Sequence, residues 1–223
     1  MEINTISFGG VNCYLITTAT GFVLIDTGYA KHRADVEKEL ENAGCTPEKL
    51  KLILLTHGDF DHSGNAAYLR GKYGAKIAMH SADEGMVEKG DLFYNRNANF
   101  LTRTMGKIML PFIGGGLKKT DRFTPDMHID DGYDFSEFGL DAKVIYLPGH
   151  SKGSIGILTS GGDLFCGDLL ENTKKPAKNS LIADKKAFNA SVEKLKRFEV
   201  STVYPGHGES FPMEQFIKTQ NAV

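Results

Sequence analysis

Apolar residues along this chain come in short runs broken by turn formers, and the period of each run sets the element it predicts. "VNCYLITT" (11–18) and "GFVLIDTG" (21–28) are rich in branched and aromatic side chains and meet at Ala19, Thr20 and Gly21, which predicts a hairpin near the N-terminus. Residues 31–43 carry Ala34, Val36, Leu40 and Ala43 as an imperfect helical stripe that Gly44 stops. "LKLILLT" (50–56) is an almost wholly apolar run and predicts a buried strand. Residues 64–73 then read as a helix capped near Asp61 or Ser63, and "AKIAMH" (75–80) as a short strand. Short strands crowd the middle in "DAKVIYLPGH", "SIGILTS" and "DLFCGD". In residues 184–198, Ala187, Phe188, Val192, Leu195 and Phe198 recur at helical spacing, and "STVYPGHG" gives a last strand and loop.

Alternating strands and helices predict a mixed α/β fold with sheets covered by helices. No repeat or linker divides the chain, so residues 1–223 are expected to form one domain. The stretch 91–125 stands apart, rich in Phe, Met, Gly and Asn and without clean periodicity. It is expected to be an irregular insertion that overhangs a site, with one more core helix and a surface loop as the competing expectation.

Composition adds bounds rather than a function. The 223 residues are 41% hydrophobic and 24% charged with a net charge of -2, so no global bias points to nucleic acid or acidic lipid. "MEINTISFGG" lacks the basic and apolar stretches of a signal peptide, and no apolar run is long enough to span a bilayer. A cytoplasmic location without membrane attachment is expected. Cys13, Cys45 and Cys166 are odd in number and widely spaced, which suits buried reduced thiols.

Candidate chemistry is concentrated in "LLTHGDFDHSGN" (54–65), where His57, Asp59, Asp61 and His62 follow a strand within six positions. Imidazole and carboxylate are the usual ligands of zinc, iron and manganese, and a tight loop after a strand can turn alternate side chains toward one point. Alone, the segment could equally hold a helix cap at Asp61 and a solvated Asp59. Three more places shift that balance: His150 in "VIYLPGHSKGS", Asp168 in "DLFCGDLL" and His207 in "TVYPGHGES" each sit beside glycine at the end of an apolar strand. Glycine there lets the backbone turn sharply and approach an ion. Seven candidate ligands in matching contexts point to a metal centre.

This ordered set, with "LIDTG" (24–28) ahead of it, resembles the metallo-β-lactamase superfamily over nearly the whole chain. The resemblance implies a four-layer αββα sandwich with two metals at one edge of the paired sheets. His57, Asp59 and His150 would hold one metal, Asp61, His62 and His207 the other, and Asp168 would bridge them; "LIDTG" would support the site from behind. Asp59 departs from the family's pattern, which has histidine there. With Asp61 and Asp168 it brings three negative charges against the four positive charges of two divalent ions, which favours oxygen-loving metals more than a histidine-rich centre does. Zinc is the first metal expected, with iron or manganese as alternatives. Flavodiiron relatives carry Glu at this position.

The resemblance implies a hydrolase in which two metals acidify a bridging water and polarise a scissile carbonyl or phosphoryl oxygen, with Asp61 orienting the proton. "GHSKGS" and "PGHG" look most like compact glyoxalase-II-like and lactonase-like members, so a thioester or lactone is the first substrate class expected and a phosphodiester the second. A di-iron redox protein served by an electron-donor partner and a non-catalytic binding or effector member are the rivals. A small-molecule substrate is expected, and a homodimer contact stays open. Ser151, Lys152 and Ser154 could meet a substrate anion, although a solvated turn suits the lysine better. Lys174, Lys175, Lys178, Lys185 and Lys186 read as a solvated stretch rather than a nucleic-acid contact. His32, His80 and His128 lie off the motif, and Cys166 is expected to be packed in a sheet. Phe93, Tyr94, Phe100, Met105, Met109, Leu110 and Phe112 could line an apolar pocket, bury against the body or form a contact between copies.

Overall fold

The apolar runs build two sheets whose central strands are buried on both faces, as continuous hydrophobic strands require, while the edge strand at residues 2–8 is largely exposed. The computed structural model describes residues 1–96, 100–109 and 116–221. The first sheet contains β1 (Glu2–Phe8), β2 (Val11–Thr18), β3 (Gly21–Ile25), β4 (Leu50–Leu54), β5 (Lys76–Met79) and β6 (Met127–His128), ordered as in the chain. Its first three strands are antiparallel and its last four parallel. The second contains β7 (Ala142–Tyr146), β8 (Ile155–Thr159) and β9 (Asp163–Gly167). A short ribbon, β10 (Leu170–Glu171) with β11 (Ala177–Lys178), precedes its last strands, β12 (Thr202–Pro205) and β13 (Phe211–Pro212), and the order across it is β13-β12-β9-β8-β7.

The helices are α1 (Arg33–Asn42), α2 (Phe60–Ser63), α3 (Ala66–Tyr73), α4 (Glu84–Lys89), α5 (Phe100–Met109), α6 (Lys185–Leu195) and α7 (Met213–Asn221). Side-chain alternation along the strands sorts the core into three apolar layers. Leu15, Leu24, Ile53 and Ile77 face Val36 and Leu40 of α1 and Leu69 of α3. Tyr14, Ile16, Val23, Ile25 and Leu54 face Val144, Ile155, Ile157 and Phe165 across the two sheets. Leu164, Cys166 and Val203 face Phe188, Val192 and Leu195 of α6 and Phe216 of α7. Three apolar seams separate four layers, the αββα sandwich.

Some elements differ from expectation for local reasons. The helix expected over 64–73 is α3, starting two residues later at Ala66, and the short α2 ahead of it was not expected; Gly64 between them lies against the backbone of Gly28 and Ala30, where a Cβ would meet the Ala30 nitrogen at 2.6 Å. Asn65 next to it spends its side chain on the carbonyls of Thr27 and Tyr29. The amphipathic α6 ends at Leu195, short of Phe198, and starts where Asp184 accepts from the Lys186 and Ala187 amides. Strand β1 and helices α2, α4 and α7 were not predicted; α5 falls where one more core helix was the competing expectation, but its apolar stripe is exposed.

Candidate metal centre

All seven candidate ligands lie beyond the C-terminal ends of strands that point to one edge: β4 in the first sheet and β7, β9 and β12 in the second. Strand β9 pairs in parallel with β12, with Gly167 opposite Pro205, which sets Asp168 beside Gly206 and His207. Here glycine is demanded. Gly167 has φ +49°, and a Cβ on it would meet Thr56 Oγ1 at 2.6 Å, whereas a Cβ on Gly206 would meet the Asp168 carboxylate.

The resulting arrangement draws the seven into overlapping groups. Ligand atoms of His57, Asp59 and His150 lie within 4.8 Å of one another, as do those of His57, His62 and Asp168, and those of Asp61, His62 and His207. Asp168 lies between the outer groups: its carboxylate is 3.3 Å from His62 Nε2, 3.3 Å from His207 Nε2 and 3.7 Å from His150 Nε2. Asp59 Oδ2 is 3.0 Å from His150 Nε2 and 3.6 Å from His57 Nε2.

Each of the four imidazoles is held through Nδ1, which turns Nε2 inward. His62 Nδ1 donates to Asp26 Oδ2 at 2.9 Å, His150 Nδ1 to the Leu181 carbonyl at 2.7 Å and His207 Nδ1 to the Gly10 carbonyl at 2.8 Å. The Thr56 hydroxyl donates to Asp26 Oδ2 at 2.8 Å, so its oxygen accepts from His57 Nδ1 at 3.0 Å. Asp26, the acid of "LIDTG", thus fixes two of the rings from behind, and it does so from a left-handed backbone, φ +57°.

The charges in the centre are strongly coupled. Burial alone would raise the Asp59 carboxyl, but Arg96, His57 and His150 hold it well below the usual carboxylate range. Asp168 is held down in the same way, against burial, by His62, His207 and His150. Burial opposes protonation of His62, yet Asp168, Asp61 and Asp26 raise it well above the usual imidazole value. His150 and His207 are also raised, burial being outweighed mainly by Asp59 and Asp168 respectively. The centre therefore attracts positive charge. Among the described residues, His57 Nε2, Asp59 Oδ1, His62 Nε2 and Asp168 Oδ1 are buried without a hydrogen-bond partner. Convergent buried acceptors of this kind fit divalent cations.

Two side chains in the centre carry no signal in the linear pattern. Arg96 sends Nη2 to 2.7 Å from Asp59 Oδ2 and 3.0 Å from His150 Nε2. Asp83, fully buried, accepts from the Gly58 amide at 3.0 Å, the Gly153 amide at 2.7 Å, the Ser151 hydroxyl at 2.5 Å and the Asn95 amide. It ties both ligand loops to the start of the 91–125 stretch. Ser151 and Ser154 are thereby committed to the framework, hydrogen-bonded to each other at 2.8 Å, and only Lys152 of that loop is exposed.

The 91–125 stretch reaches the centre through Arg96, while Phe100, Met105 and Met109 of α5 and Tyr94 are exposed. Phe93 packs on α5 at Gly106; Leu110 and Phe112 lie outside the described residues. His80 stacks on Tyr146, His128 pairs with Glu84 and His32 with Asp35, all away from the ligands. Cys166 is buried in the second sheet, where burial pushes its thiol up to about 12. Lys174, Lys175, Lys185 and Lys186 are exposed, and Lys178 bonds to Asn189. No described helix is long and apolar enough to cross a membrane.

Comparisons with known proteins agree with this geometry. The chain is 26% identical over 207 residues to a beta-lactamase-like protein 2 homolog of Drosophila melanogaster, covering 89% of this chain and 59% of that protein, so it spans under two thirds of that relative's length. It is 28% identical over 173 residues to the hydroxyacylglutathione hydrolase GloC of Haemophilus influenzae, covering 76% of this chain and 71% of GloC. Among solved structures, TTHA1623 in a di-iron-bound form superposes with a TM-score of 0.74 at 26% identity, covering 98% of each chain. A family model described as the metallo-beta-lactamase superfamily matches residues 6–207, the span that runs from β1 to the last of the seven candidate ligands. With its fold, its ligand edge and that match in agreement, the chain belongs to the metallo-beta-lactamase superfamily.

Proposed function

We propose that this chain is a dinuclear metal-dependent hydrolase of a small-molecule thioester or lactone, acting in the cytoplasm. The observation that carries the proposal is the inward set of four Nε2 atoms, each ring pinned at Nδ1, around three carboxylates. His57, Asp59 and His150 would hold one ion, Asp61, His62 and His207 the other, and Asp168 both. Two divalent ions so held would acidify water and polarise a carbonyl oxygen. Asp61, partly exposed at the open side, would accept and orient the proton of an attacking water. Asp26 and Thr56 keep the ring tautomers fixed through turnover.

Similarity to GloC supports a thioester, since a hydroxyacylglutathione is one. The three buried free cysteines suit a reducing compartment. Zinc is the proposed metal. Iron is the alternative that Asp59 and the di-iron-bound TTHA1623 structure both favour, and with it a redox reaction fed by an electron donor.

Elemental analysis of protein purified anaerobically from cells given both metals tests these readings. About two zinc ions per chain with turnover of acyl thioesters or lactones is the expected result. Two iron ions with reductant-dependent oxygen consumption would replace hydrolysis with redox chemistry, and no bound metal would overturn both.

A further inference from the structure

The two halves of the centre differ in their counter-charge. Among the described residues no lysine or arginine forms an ion pair with Asp61 or Asp168, whose close partners are histidines. The half made by His57, Asp59 and His150 has Arg96. Its side chain is 14% exposed, and besides Asp59 and His150 Nε2 the guanidinium reaches the carbonyls of His150 at 3.4 Å and Leu92 at 3.3 Å. The Arg96 carbonyl in turn accepts from Arg103 of α5 at 2.9 Å.

Imidazoles can give up their protons to an arriving ion but a guanidinium cannot, so Arg96 is a fixed cation that cancels Asp59, and no fixed cation cancels Asp61 in the other half, Asp168 being shared. A dication entering the Arg96 half must take the acceptor atoms that the guanidinium already holds, and in a buried site it meets a positive charge with little screening. The displaced bond is a charge-assisted one in a dry environment, the strong kind. In the other half, Asp61 and His207 border solvent, and an ion arriving from it displaces labile protons and no guanidinium.

We propose that Arg96 makes the centre load in order: a divalent metal fills the Asp61, His62 and His207 half first, and enters the His57, Asp59 and His150 half only by displacing the guanidinium. This rests on the dinuclear reading above. It makes the chain a one-metal protein at low metal supply and a two-metal protein at high supply.

The test is calorimetric titration of the full, metal-stripped chain with zinc, with bound ions counted by native mass spectrometry. Wild type should take one ion per chain, then a second about tenfold or more weaker. Arg96→Gln should tighten the second step about tenfold and leave the first where it was. Arg96→Lys keeps the charge without the planar fork and should move the second step the same way by less, which carries the test where Gln unfolds the chain. His207→Ala should abolish the tight step, and His150→Ala the weak one. Two ions bound with equal affinity in wild type, or two steps unmoved in both Arg96 variants, would overturn ordered loading and leave the dinuclear reading standing. Failure of every form to bind metal would overturn both.

Discussion

The halves of the centre share a fold edge and a ligand chemistry but differ in exposure and in neighbours. His57, Asp59 and His150 are buried beneath Arg96, whereas the Asp61 and His207 side chains are 15% and 22% exposed. The open half, that of Asp61 and His207, borders solvent, and the closed half is covered by the Arg96 counter-ion. Similar ligand spacing can therefore serve two roles once the surroundings differ.

The largest effect should come from removing what the halves share. Asp168→Ala deletes the carboxylate facing His62, His150 and His207, and should cost both ions and reduce thioester hydrolysis to background. Two ions retained in elemental analysis would show the halves to be independent. Asp26→Asn should weaken metal binding about 10- to 100-fold in chelator competition, more in the open half, because His62 bonds to Asp26 directly and His57 only through Thr56.

Acidity should separate the halves next. His62 is raised well above the ordinary imidazole value of 6.5, and His150 and His207 are raised as well, burial being outweighed by nearby carboxylates in each case. A raised folded-state value means that, without metal, these rings add stability below about pH 6.5 that is lost as pH rises through their higher folded values. Metal must displace those protons, so affinity should run the opposite way and fall about tenfold for each proton displaced per unit drop in pH. Calorimetry in buffers of different ionisation enthalpy reads the protons released; none released would contradict the charge assignment.

Asp59→His should shift selectivity toward zinc by several-fold, confined to the closed half, and competition between zinc and iron measures it. Unchanged selectivity would remove Asp59 as the cause of any metal bias. Ser151→Ala should matter least, lowering stability by about 1 kcal/mol in denaturant unfolding through a lost hydrogen bond to Asp83, with both metal steps nearly unmoved.

Much of the fold was legible because buried strands write themselves as apolar runs: β2, β3, β4 and β5 lie where those runs predict. Helix α5 carries a helical stripe in Leu101, Met105, Ile108 and Met109, but the stripe is exposed, so it marks no core face. The short α2 was hidden for a different reason: Gly64, which follows it, is pressed against residues 28–30, far away in the chain.

The sequence by itself determined which side chains could bind metal, because ligand chemistry and glycine-flanked strand ends are local properties. Its strand and helix periodicity determined a mixed α/β fold with helix-covered sheets, and the four layers were what the family resemblance implied. Only the tertiary structure decided that Arg96 neutralises Asp59 and that Asp83 joins the 58 and 151–153 loops, since those partners are brought together by the sandwich and not by the spacing of the chain. A charge pair across 37 residues leaves no periodic trace, and folding alone makes it short.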